Sequence, residues 1–150
     1  MLNIKKQIIQ ERKIGRRILV ALLIVHSFVA LGFGFTSLLN FPFALETGFQ
    51  IPYSSELEIL GVVMGLELLF LGGIASLSLI WTIKGKLEGT ITGIAVGIYI
   101  FIFGIVAFLK FGETQALYVD GIRGVLTIIF GSMAFKENKK MKSYERDLLC

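Results

Sequence analysis

The sequence is short of nearly everything a soluble enzyme or a secreted scaffold relies on. Its 150 residues include one cysteine, one histidine, one tryptophan and two prolines. A single cysteine, Cys150, excludes an internal disulfide and any cysteine-pair redox site. The lone His26 cannot supply the two axial histidines of many haem sites, and reads first as a hydrogen-bonded residue between helices. Charged residues make up only 17% of the chain, below the share of an ordinary soluble domain. There is no cluster of metal-ligating residues, phosphate-cradling loop or nucleophile elbow. No catalytic residue or metal ligand is assigned, and no cofactor is evident.

What fills the chain instead is apolar: 55% hydrophobic residues, with 13 phenylalanines and 17 glycines. Four stretches approach the roughly 20 residues a helix needs to cross hydrocarbon, at about 18–39, 59–83, 91–109 and 116–135. Only the second and fourth contain formal charge: Glu67 in one, Asp120 and Arg123 in the other. The fold expected is all-α: an integral membrane, up-down bundle of four transmembrane helices, the first connection long and the other two short. Residues 1–17 form a basic amphipathic segment suited to an interfacial helix, and 136–150 a basic tail. The first apolar run exceeds the roughly 7–15 residues of a signal-peptide core, so it should remain as an anchor.

The net charge of +4 could point to nucleic acid, but its placement argues for the membrane. Lys5, Lys6, Arg12, Lys13, Arg16 and Arg17 precede the first span, and Lys84 and Lys86 follow the second. Lys136, Lys139, Lys140, Lys142 and Arg146 follow the fourth. The segment 36–58 has no Lys or Arg, and only Lys110 lies between the third and fourth spans. By the positive-inside rule both termini face the cytoplasm of a multi-pass protein of the cell membrane. The partners expected are the lipid bilayer and a membrane protein or second copy, with no nucleic acid. Trp81, Tyr53 and Tyr118 suit interfacial belts, and Ser55 with Glu58 matches a capping box opening the second helix.

The stretch "GVVMGLELLFLGG", residues 61–73, sets one carboxylate among apolar and small residues. At about 1.5 Å rise per residue, Glu67 is about 12 Å below the outer edge and Arg123 about 10 Å. Asp120 falls at about 6 Å, Tyr99 at about 15 Å and His26 at roughly 20 Å. An isolated charge in hydrocarbon is unfavourable, so these residues should gather. A Glu67–Arg123 pair is expected, with Asp120 a second partner and Tyr99 and His26 nearby. Such a cluster either staples helices together or forms a ligand-binding site. On the fourth span Asp120, Gly124, Thr127 and Gly131 form one inward stripe. Small-xxx-small strips, Gly61, Gly65 and Gly72 on the second span and Gly89, Gly93, Gly97 and Gly104 on the third, should serve helix packing. At 100° per residue they lie roughly 120–140° from Glu67 and Tyr99, so they do not line the polar cluster.

The glycine-flanked glutamate of "GVVMGLELLFLGG", the apolar first helix running into a long outer loop, and "YVDGIRGVLTIIFG" carry a family likeness. Over about residues 17–135 the layout resembles the DoxX-like family of small four-helix membrane proteins. That resemblance implies a membrane subunit rather than a reaction, and it carries over no cofactor ligand. The leading expectation is a non-enzymatic subunit of a membrane complex, redox or quinone-linked. The alternative is a quinone-, lipid- or cation-binding or transport protein with a polar site inside the bundle.

Overall fold

A computed structural model describes residues 14–44, 46, 54, 58–112, 114 and 117–149. The interfacial helix expected within 1–17, the capping role of Ser55 and the position of Tyr53 lie outside, or mostly outside, those residues. Among the described residues every regular element is helical: α1 (Ile14–Leu39), α2 (Phe41–Ala44), α3 (Glu58–Ile83), α4 (Leu87–Phe111) and α5 (Ile122–Leu149). A π-helical turn, Leu117–Gly121, leads into α5. Four stretches are long and apolar enough to cross a membrane: Ile14–Leu39, Glu58–Ile83, Leu87–Lys110 and Leu117–Lys140. This is the make-up of a multi-pass membrane protein.

The helices overrun the apolar stretches that announce them. Residue 136 opens a basic tail in the sequence, yet α5 continues to Leu149. The reason is simple: apolar length measures hydrocarbon thickness, whereas Lys, Glu, Met and Arg are good helix formers that extend a helix into water. At the other end of the chain, Gly15, Arg16 and Arg17 already belong to α1.

Local chemistry sets the breaks. Asn40 ends α1, its N–H bonding Thr36 O at 2.8 Å, and its Oδ1 accepts the N–H of Phe43 at 3.3 Å. That makes Asn40 the N-cap of α2, with Pro42 in the first turn, where its missing N–H is not needed. Helix α3 stops in a Schellman motif. Gly85, at φ +72°, donates to Thr82 O at 3.0 Å, and Lys86 donates to Trp81 O at 2.9 Å. Gly112, at φ +71°, closes α4 through its N–H to Phe108 O at 2.9 Å.

The chain divides into two compact units. One holds the chain up to Leu23 together with Leu77 onward; the other is Ile24–Ser76. In the first, Leu19, Leu23 and Ala134 form a fully buried core with Leu79 and Phe130 packed on it. Glycines set the α4–α5 spacing there. A Cβ on Gly124 would sit 2.6 Å from Phe101 N, and one on Gly97 would sit 2.9 Å from Thr127 Cβ. In the second unit, Gly65 faces Leu38, Gly72 faces Leu31, Gly34 faces Leu69, and Gly61 takes the ring of Phe41. Large side chains of α1 and α2 thus rest on three glycines of α3, and Leu69 of α3 on Gly34 of α1, the close approach that small residues permit.

Candidate functional site

The polar residues singled out in the sequence are divided between the two units, Arg123, Asp120 and Tyr99 in the first and His26 and Glu67 in the second. Arg123 and Asp120 sit together at the π-turn, Arg123 Nη1 donating to Asp120 Oδ1 at 3.2 Å, with both side chains largely buried. The backbone places them three residues apart on one face, and Thr127 Oγ1 bonds the carbonyl of Arg123 at 2.7 Å. Gly124, Thr127 and Gly131 are buried along the same stripe. Tyr99 is 38% exposed on α4. His26 is buried in the second unit, next to buried Ser27. Glu67 is also in that unit, on an exposed position of α3 whose neighbours Val62, Val63, Leu66 and Phe70 are exposed as well. Gly89, Gly93, Gly97 and Gly104 are buried on α4, as are Gly61, Gly65 and Gly72 on α3. Among the described residues no group of three or more His, Cys, Asp or Glu side chains could hold a metal ion.

A second polar system was not read from the sequence. It occupies the end of the first unit where α1 begins and α3 ends. Glu137 of α5 accepts the backbone N–H groups of Gly15 and Arg16, at 3.1 and 3.2 Å. These are orphan donors of the first turn of α1, and a carboxylate there also meets the positive end of the helix dipole. Arg16 returns the arrangement at a C-terminus. Its Nε donates to Thr82 O at 2.9 Å and its Nη2 to Ile83 O, placing a cation on the last carbonyls of α3. Ser78 Oγ donates to Gly89 O at 2.7 Å, linking α3 to α4 in the buried interior. Asn138 Nδ2 donates to Thr90 Oγ1 at 2.9 Å, linking α4 to α5, with both side chains at 2% exposure or less.

These bonds close a ring: α1 to α3, α3 to α4, α4 to α5, and α5 back to α1. Two buried atoms within it, Thr82 Oγ1 and Asn138 Oδ1, have no hydrogen-bond partner. Placing the end of the fourth span at 135 hid Glu137 and Asn138 in a presumed tail. The available signal was a glutamate and an asparagine one and two residues after a lysine that itself follows an apolar run.

Among the described residues, two surface grooves stand out. One, of about 320 Å³, is lined by Phe28, Val29, Gly32, Phe33, Thr36 and Phe43 in the second unit. The other, of about 370 Å³, is lined by Arg16, Arg17, Val20 and Ile83 in the first. No family model, curated protein or solved structure matches the chain.

Proposed function

We propose that this protein is a non-enzymatic subunit of a membrane complex, DoxX-like in layout, and that the partner docks on the exposed face of α3 around Glu67. The carrying observation is that α3 is the least buried of the four spans, with Val63, Leu66 and Phe70 exposed on the side away from its glycines, Phe70 at 72%. A partner helix packs on such a face through van der Waals contact, the main source of helix association within a bilayer. The glycines of α3 are occupied by Phe41, Leu38 and Leu31, so the docking face is the opposite side. The bundle is up-down with both termini cytoplasmic, a reading supported by the ring of contacts and the basic residues at its end. A redox or quinone-linked assembly is the setting.

Purification at native abundance in mild detergent should give a complex larger than the monomer. Glu67→Ala or Phe70→Ala should release the partner, while Ile129→Ala on exposed α5 surface should not. A monomer from native membranes, or equal loss with all three variants, overturns this reading.

The aromatic groove of the second unit favours a second reading, binding of a quinone or a lipid chain. Gly32 opens onto space there, so Gly32→Phe should fill the groove without disturbing packing and abolish labelling by a photoreactive quinone. Unchanged labelling would remove this alternative.

A further inference from the structure

We infer that the groove of Arg16, Arg17, Val20 and Ile83 is a binding site for an anionic glycerophospholipid. Its lining is divided as such a molecule is. Arg16 and Arg17 lie in the first turn of one span, and Ile83 is the last residue of another, so both helices meet the headgroup level here. Val20 is one turn deeper along α1, about 4.5 Å towards the hydrocarbon. The phosphodiester therefore meets two guanidinium groups, and the first methylenes of an acyl chain meet Val20 and the exposed Ile83.

The charge is held in place. Arg16 is anchored by Nε and Nη2 to the carbonyls of Thr82 and Ile83, so its guanidinium cannot swing away from the groove. Gly85, which must adopt φ +72°, carries no side chain, and a Cβ there would lie 3.5 Å from Arg16 Nη1. Arg17 is exposed, and so are Lys84 and Lys86 on either side of Gly85. Guanidinium groups bind phosphate oxygens through paired N–H donors, and a headgroup without a choline cation leaves the attraction of Arg17, Lys84 and Lys86 unopposed. This site rests on the membrane reading of the fold and is independent of the partner proposed above.

The test is native mass spectrometry of the delipidated full-length protein in detergent, titrated with phosphatidylglycerol or phosphatidylcholine. Each basic group near an anionic headgroup is worth roughly fivefold in binding, so phosphatidylglycerol should bind on the order of tenfold or more tightly. Arg17→Gln with Lys84→Gln should bring the two lipids level, whereas Lys139→Gln with Lys140→Gln removes the same charge from outside the groove's lining and should preserve the preference. Val20→Trp fills the apolar half without changing charge and should weaken phosphatidylglycerol binding. Equal binding of the two lipids by the parent protein overturns the inference. So does an equal loss in the Lys139 and Lys140 variant, which would indicate diffuse attraction. Displacement by millimolar inorganic phosphate would make this a phosphate site and not a lipid site.

Discussion

Replacing Gly124 by alanine tests the close approach of α4 and α5 directly. The added methyl would lie 2.6 Å from Phe101 N and 2.8 Å from both Gly97 O and Phe101 Cα. These are backbone atoms of the facing helix, so no rotamer change relieves the contact. The nearest falls about 0.8 Å short of the 3.4 Å at which ordinary contact begins, and the helices must separate by a similar amount. Overpacking of a closely fitted interior costs typically ~1–3 kcal/mol, and contact with backbone puts this case in the upper part of that range. Alanine recovers up to ~1 kcal/mol of helix propensity, leaving a net loss of ~1–2 kcal/mol. The assay is equilibrium unfolding in mixed micelles, followed by helical circular dichroism. Gly73→Ala, where nothing lies within 4 Å, is the control that carries the propensity gain alone. If Gly124→Ala were as stable as Gly73→Ala, the glycine contact would not be setting the helix spacing.

Three further outcomes follow from the polar ring and the topology. Asn138→Ala leaves the buried Thr90 hydroxyl without its donor and should cost about 1–3 kcal/mol in the same titration. Asn138→Leu combined with Thr90→Val, which removes both partners, should recover much of that loss. Glu137→Ala uncaps the start of α1 and should cost about 1 kcal/mol, with Glu137→Gln losing less because its amide oxygen can still accept one N–H. Cys150, the sole thiol, should react with an impermeant maleimide only after cells are permeabilised; labelling of intact cells would place the C-terminus outside.

The helices were legible because hydrocarbon imposes a length and a composition that few other environments demand. The four apolar runs become α1, α3, α4 and the π-turn with α5, and the pairing of Asp120 with Arg123 follows from their spacing on one turn. The ends were less legible, since a span is recognised by greasiness while a helix also grows through Lys136, Glu137 and Asn138. Cutting at 135 removed from view the residues that bind α5 to α1 and α4. Depth arithmetic placed Glu67 level with Arg123 but carried no information on azimuth. The glycine strip supplied that angle, at roughly 120–140° from the glutamate, though not which of the two faces turns towards a neighbour.

The structure supplies that missing sense for α3 within its unit: Gly61, Gly65 and Gly72 receive Phe41, Leu38 and Leu31, and Glu67 takes the exposed side. The two placements have one cause. A strip of glycines is valuable only where another helix presses against it, because its benefit is close backbone approach. Any residue well over a right angle away is then carried towards the rim or the outside. For a leucine this is of no consequence in a membrane. For a glutamate it is, since hydrocarbon solvates a carboxylate poorly and the side it takes decides which polar groups it can reach. The same packing that draws α3 onto α1 and α2 therefore places an acidic group on its exposed side, and the strength of that helix contact and the surroundings of Glu67 should be separable. Gly65→Leu should loosen the second unit while leaving the Glu67 side chain in place, and Glu67→Ala should do the reverse.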